Sequence, residues 1–443
     1  MMSKSLIAIV VVATELSVVG CGGGADQGMS DGSGGESGSG GAGGSGGVAG
    51  SGGAGGTDGG GDAGTGGAGG LGGAGGAGGS GGGGGTGGSG GGGGTGGSGG
   101  GGGTGGSGGS WAVGVIDTGD SPSLAIDPAG GLHLGYYSTA AREIRYAHSN
   151  GDSWLVDSVS EQLSQFSITA FLSLALDPQG NPHIAFAVRY GTLRYASRDT
   201  STWSIQVADD GIEDGRQFGV GEYPSLVFDN TGNPRISYHK DVGATAGYLR
   251  HAVWNAGSWQ IRAIDSALDS GLSNSSVASA NGSVQVAYLV RVNDFPPTYE
   301  LRHARWAGSA WVVQTVDAQD AGAYSSPSIA SDSAGAPHIF YVGTDSAVRH
   351  ASGNGGTWAL EVIPSLGEAA GGVSLAIGGG GVFHASIAGS AGIRYGSSTL
   401  GGGWLVETIE PAAAQAPTIR LDGMNSPHVC FVSMDLIKCA RRP

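Results

Sequence analysis

The sequence predicts an all-β protein, a seven-bladed β-propeller of four-stranded blades closed by an N-terminal strand and preceded by a disordered glycine-rich tether. Three observations predict it. A small residue followed by tryptophan recurs at Trp111, Trp154, Trp203, Trp259, Trp311, Trp358 and Trp404. Each tryptophan opens an alternating stretch such as SWLVDSV, TWSIQVA or SWQIRAI, the period-two signature of a half-buried strand. No segment carries a helical period, so four short strands repeating about every 49 residues read as blades.

The chain begins with a short positive start ending at Lys4 and an apolar run from Leu6 to Ala13, too short to span a bilayer. It continues Val18-Val19-Gly20-Cys21. An aliphatic residue three places before a cysteine, with a small residue just before it, resembles a bacterial lipoprotein signal, with valine where leucine is commoner. The resemblance implies a signal peptide over 1–20, cleavage before Cys21, and a diacylglycerol on its thiol. Gly22 stands where inner-membrane retention would have aspartate, which points to the outer membrane or cell surface.

Residues 22–110 hold 56 of the chain's 96 glycines, with no aromatic residue, no Lys or Arg and five acids. Such a segment cannot bury enough apolar surface to offset its ordering entropy, so 21–110 is expected to be a disordered, lipid-anchored tether. A nine-residue period marked by Ser80, Ser89, Ser98 and Ser107 lacks the aspartate and the large apolar residue of calcium-binding nonapeptides.

Residues 111–443 contain the repeats. Each unit has a strand A like SPSLAID, a turn like DPQGNP, a strand B like HIAFA, a strand C like LRYA and the tryptophan strand D. The last unit lacks its D strand and the first globular segment, Trp111 to Asp117, is a D strand alone. Together they complete one blade. Alternating strand direction puts A–B and C–D turns on one face and B–C and D–A loops on the other. The first face is short and stereotyped, whereas the second is irregular, around Asn293–Thr298 and Asp209–Glu222. Variable loops on a rigid scaffold are where recognition is expected.

Overall there are 20 Lys and Arg against 36 Asp and Glu, a net charge of −16. That excludes a nucleic-acid backbone as partner. No GxxxxGK[ST] loop or HExxH is present, and no cofactor is expected. Of ten histidines, His133, His183, His338 and His428 open strand B, and His251, His303 and His350 share a strand C slot with Tyr146, Tyr195 and Tyr395. A slot that tyrosine also fills reads as packing. His148, His239 and His384 remain, with no two at ligand spacing, so no metal is expected. The basic series Arg145, Arg194, Arg250, Arg302, Arg349, Arg394 and Lys438 reads as pairing within or between blades. Asp127, Asp177, Asp229, Asp332 and Asp422 read as turn caps bonding their own backbone two residues on.

Ser149-Asn150-Gly151-Asp152-Ser153-Trp154 and Ser352-Gly353-Asn354-Gly355-Gly356-Thr357-Trp358 resemble degenerate sialidase-type repeats, in which S-x-D-x-G-x-T-W lies in the C–D turn. Both are shorter and lack the third-place aspartate. The resemblance implies a secreted propeller, with a glycosidase or polysaccharide lyase as one possible activity.

Three functions compete: a surface-tethered module binding a glycan or protein through the loop face, a sialidase-like glycosidase or lyase, and a structural envelope-assembly lipoprotein. Uniform repeats favour the first and third, because an active site demands that some blades break pattern, and a monomer is expected. Ligand-binding candidates are the residues that break pattern: His239, Lys240 and Asp241; Arg291, Phe295 and Tyr299; Arg420, where other A strands carry alanine or valine; and the acids Asp209 and Asp210. No catalytic residue is assigned. Counting outward from Met434-Asp435 as a two-residue turn places Cys430 opposite Cys439 at a non-hydrogen-bonded site, a spacing that suits a disulfide in an exported protein.

Overall fold

The computed structural model describes residues 110–442, except positions 150, 152, 161, 164–169, 189–190, 200, 243–246, 268, 279–281, 295, 323–325, 355 and 399–401. The signal segment, Cys21 and the glycine tether lie outside the described residues.

The architecture is an all-β propeller. Five antiparallel four-stranded sheets begin at the inner strands Ala170–Leu176, Gly219–Phe228, Ser270–Ala278, Ser328–Ser331 and Gly372–Ile377. A seven-stranded sheet joins the two ends of the globular chain. Its order is Gln415–Leu421, Pro427–Ser433, Leu436–Arg441, Ala112–Ile126, Leu132–Ser138, Glu143–Ser149 and Trp154–Ser158. The expected lone D strand is therefore not a separate element. Ala112–Ile126 is one strand of 15 residues whose first half pairs with Leu436–Arg441 and whose second half pairs with Leu132–Ser138. Register breaks at Val115/Asp117 and Asp120/Ser123, with Ser121 at φ 56°, turn it from one sheet into the next.

The inner strands touch in a closed cycle, each against the inner strand of the next sheet, with Gln415–Leu421 returning to Ala112–Ile126. At four described boundaries a serine of the inner strand fastens neighbours, Ser374 Oγ accepting from Ile419 N at 3.3 Å among them. Ser123 Oγ accepts from Leu174 N at 2.9 Å, Ser173 Oγ from Leu226 N at 3.0 Å, and Ser328 Oγ from Leu375 N at 2.9 Å. The SPSLAID motif thus supplies an acceptor for a backbone donor that has no partner in its own sheet.

Core residues pack between successive sheets. Tyr137, Ile144 and Tyr146 meet Leu174, Ile184 and Phe186 of the following sheet, and Leu124, Leu134 and Tyr136 meet Cys430, Val432 and Ile437 where the chain ends join. The repeat tryptophans belong to this packing. Trp203 lies edge-on to Tyr146 of the preceding sheet at 5.3 Å, Trp259 to Tyr195 at 5.0 Å, and Trp311 to His251 at 5.0 Å. Trp111 sits on Tyr395 in the same way at 5.2 Å, and its Nε1 donates to Glu407 at 3.0 Å. The strand C slot is therefore the seat for the next sheet's tryptophan, which is why it accepts tyrosine or histidine.

Two expected loops are ordered strand. The B–C connection around Asn293 is a ribbon of the long strands Val284–Asp294 and Pro297–Trp306. Within Asp209–Glu222, Ile212–Glu213 pairs with Arg216–Gln217 as a small hairpin, turned by Asp214 and Gly215 at positive φ.

Candidate functional site

The sixth residue after each strand D tryptophan decides how two sheets are joined. Where it is aspartate, strand B of the next sheet carries tyrosine. Tyr136 Oη donates to Asp117 at 3.0 Å, Tyr238 Oη to Asp209 at 2.5 Å, Tyr288 Oη to Asp265 at 2.7 Å and Tyr341 Oη to Asp317 at 2.7 Å. Where it is Ser160, Pro364 or Glu410, the corresponding strand B residue is Phe186, Ile387 or Phe431. The strand C basic residue completes the clamp: Arg145 reaches Asp117 and Arg302 reaches Asp265, both at 3.0 Å, and Lys438 meets Glu410 at 2.9 Å. These carboxylates are buried or half-buried and shared between sheets. The reading of Asp209 as a ligand-binding loop acid is corrected: it is 9% exposed and accepts from Tyr238, with Arg250 at 3.7 Å. Asp210 is exposed, and its carboxylate caps Ile212 N at 3.0 Å.

The loop face does break pattern over the sheets beginning at Gly219 and Ser270. Lys240 is 1% exposed, ion-paired to Glu213 from the hairpin and stacked over the Phe218 ring at 4.3 Å. Glu213 also pairs with Arg250. Lys240 first, and then Arg250, hold the Glu213 carboxyl below its usual range. His239 is buried, with Nδ1 on the Ser270 carbonyl at 3.0 Å, and that burial lowers its pKa. Asp241 is half-exposed at the end of its strand. In the next sheet Arg291 pairs with Asp269. Tyr299, expected as a stacking aromatic, is 5% exposed within the core and cannot offer its ring to a ligand. Phe295 lies outside the described residues. Exposed on or next to the hairpin are Ile212 at 55%, Arg216 and Asp210, and on the ribbon of the next sheet Val292 at 42%.

Arg420 does not join this cluster. Its register partner is His428, beside the Asp422 turn, so it sits on the inner strand toward the opposite face. Its side chain reaches solvent yet is ringed by protein, and that desolvation lowers its pKa.

Five turns of the opposite face share one device, whereas the sheet beginning at Gly372 has Gly378 at that position and a single 3-10 turn, Gly379–Gly381. Asp127, Asp177, Asp229, Asp332 and Asp422 each accept from the backbone N–H two residues on, at 2.8 to 2.9 Å. His384 belongs to the strand B series that the repeats define, because its Nδ1 meets Tyr395 Oη at 2.6 Å as His133 meets Tyr146 and His183 meets Tyr195. His148 pairs in register with His133, with ring centroids 4.9 Å apart. The sequence reading that found no partner for it is corrected: the partner is across the hairpin, and the pairing follows from counting strands B and C outward from their loop.

Cys430 and Cys439 are register partners joined by a disulfide, with Cα atoms 4.1 Å apart. Cys439 occupies the strand C slot that holds tyrosine or histidine elsewhere. Beside it, a shallow cleft of about 200 Å³ runs between Gly114, Leu132, Trp154, His428 and Arg441, at the seam of the seven-stranded sheet.

No family model and no curated protein matches the chain. Solved structures do. A streptogramin B lyase is 11% identical with a TM-score of 0.50, over 74% of this chain and 97% of that one. A fucose-binding lectin of Aleuria aurantia, solved with Fucα1-6GlcNAc, is 17% identical with a TM-score of 0.47, over 68% of this chain and 99% of that one. A protein of unknown function from Dyadobacter fermentans is 11% identical with a TM-score of 0.45, over 74% and 97%. At such identities the likeness is one of fold: the chain shares the β-propeller architecture.

Proposed function

We propose that this chain is an exported lipoprotein, anchored in the bacterial envelope through Cys21, whose propeller is a monomeric recognition module for a glycan or protein partner. The seven-stranded sheet counts as two blades sharing the strand Ala112–Ile126, which makes the ring seven-bladed. The glycine segment is the spacer that holds it clear of the membrane, at the outer membrane or cell surface.

One observation carries the binding assignment. The turn face repeats one aspartate turn in five repeats and replaces it by the short Gly379–Gly381 turn in another, whereas the loop face departs from the repeat with a hairpin and a long ribbon. The exposed apolar side chains Ile212 and Val292 stand on those two features, beside Asp210 and Arg216. Lys240 and Arg250 are balanced there by Glu213 and Asp209, so that cluster is close to neutral. A neutral glycan or a mixed-polarity peptide fits it better than a polyanion.

The test is a glycan array together with a fluorogenic glycoside panel, using the full chain. Binding without turnover is the expected result, and turnover would assign an enzyme instead. Mass spectrometry of the cell-derived protein should find a diacylglycerol on Cys21, and an unmodified N-terminus elsewhere would remove the anchor.

A further inference from the structure

We propose that Asp127, His133 and His148 form a binding site for a transition-metal dication of the zinc class, on the turn face of the sheet that contains Leu132–Ser138. One donor atom from each of the three lies within 4.8 Å of the others. The arrangement is built by two strands and a turn: His133 and His148 are register partners across the hairpin, and Asp127 begins the adjoining A–B turn.

The Asp–His pair alone is a scaffold device, since it recurs as Asp177–His183 at 3.4 Å, Asp332–His338 at 3.7 Å and Asp422–His428 at 3.4 Å. In those sheets the residue across from the histidine is Ser197, Ser352 or Arg441. His148 supplies a third donor close to both members of the pair, whereas the imidazole next to His338, that of His350, meets its Nδ1 at 3.0 Å, on the ring nitrogen away from Asp332. Three ligands with a position left for solvent are what zinc sites of the open type use.

Two of the three donors already stand at the spacing of a loaded site, and His148 lies within 4.8 Å of both. His133 Nε2 and Asp127 Oδ2 are 3.2 Å apart. Two ligands of a tetrahedral ion with bonds of about 2.0 Å are separated by roughly 3.3 Å. Both are held by outer partners. Tyr146 Oη lies 2.6 Å from His133 Nδ1, so a tyrosine that accepts there keeps the proton on Nδ1 and frees the Nε2 lone pair. Asp127 Oδ1 accepts from Ala129 N and Gly131 N, both at 2.8 Å, which turns Oδ2 toward the imidazole. His148 and Asp127 are half-exposed, so the ion has a route in. Two imidazoles and one carboxylate favour zinc-class ions over calcium or magnesium, which take mostly oxygen ligands.

The experiment is Zn²⁺ titration of the full chain by competition with a chromophoric chelator, beside His148→Ser and His183→Gln. The first substitution converts the site to the form of its sister sheets and so preserves the fold. One zinc per chain is expected, weakened on the order of 100-fold or more by His148→Ser, because even outer-shell changes reach that size. His183→Gln should leave affinity unchanged. Absence of stoichiometric binding, equal affinity in His148→Ser, or an equal loss in His183→Gln would each overturn the site.

Discussion

The Tyr238 hydroxyl donates to the Asp209 carboxylate across the boundary between two sheets. The same pair forms at Asp117–Tyr136, Asp265–Tyr288 and Asp317–Tyr341, while the boundary at Ser160–Phe186 does without it. The protein thus contains its own control for what the bond is worth.

Tyr238→Phe should destabilise by about 1–3 kcal/mol, the cost of leaving a buried acceptor without its donor. Adding Asp209→Ser, which copies the Ser160–Phe186 boundary, should recover at least about 1 kcal/mol of that loss. Urea unfolding of the two single variants and the double variant measures the coupling. Additive losses would mean that the bond contributes nothing.

Stability should begin to fall near pH 6.5 on acidification, well above the carboxylate range. Burial first, and then Arg235 and Arg262, push His251 down to about 3, and burial and Arg305 push His303 down to about 4. Their unfolded pKa is near 6.5, so the unfolded chain takes up protons first. The stability that neutral histidine contributes is complete above pH 6.5 and is lost as pH falls toward the folded values. The carboxylates whose pKa is depressed, such as Asp177 and Asp229, add their loss only below about pH 4. The melting temperature at pH 5 and pH 7.5 checks this, and His251→Tyr, a residue the slot accepts in other sheets, should shrink the difference.

Removal of Trp111 to Asp117 should open the ring. It strips the ladder from Leu436–Arg441 and empties the seat on Tyr395, and the half-buried tryptophan alone is worth on the order of 2 kcal/mol. Thermal unfolding should show a clear drop in melting temperature. An unchanged value would mean that these contacts do not hold the seam.

The Cys430–Cys439 bridge closes a short hairpin next to that seam. Loop-closure entropy puts its contribution at about 2–3 kcal/mol. Thiol titration of denatured, unreduced chain lacking Cys21 should find no free cysteine, and reduction should lower the urea midpoint. Two titratable thiols before reduction would contradict the bridge.

The repeat, the pairing of the N-terminal segment with the last strand and the cysteine register were legible because each follows from period-two alternation and a count of residues, whereas the continuation of that segment into the first A strand was not. Asp209 was misread for a physical reason. Asp209, Asp265 and Asp317 sit at strand ends next to loops, and composition alone treats a carboxylate near a loop as solvated. The signal lay in Tyr238, Tyr288 and Tyr341 one sheet further on, 23 to 29 residues away in sequence. Tyr299 was misplaced because the strands of the ribbon run longer than those of the other repeats, which carries the residue into the core. Arg420 was legible as an anomaly, but only the pairing with His428 sets it toward the turn face. His148 needed the same register step.

The most direct measurement compares the two faces against whatever glycan or peptide the array identifies. Ile212→Asp and Val292→Asp alter the loop face, whereas Gln179→Ala and Met424→Ala alter exposed positions in the aspartate turns. Calorimetric titration should show the loop-face changes weakening binding by roughly tenfold or more each, as expected for contact residues. The turn-face changes should leave affinity within about twofold of the unaltered chain. Loss of binding in the turn-face variants with none in the loop-face variants would place recognition on the wrong end of the propeller.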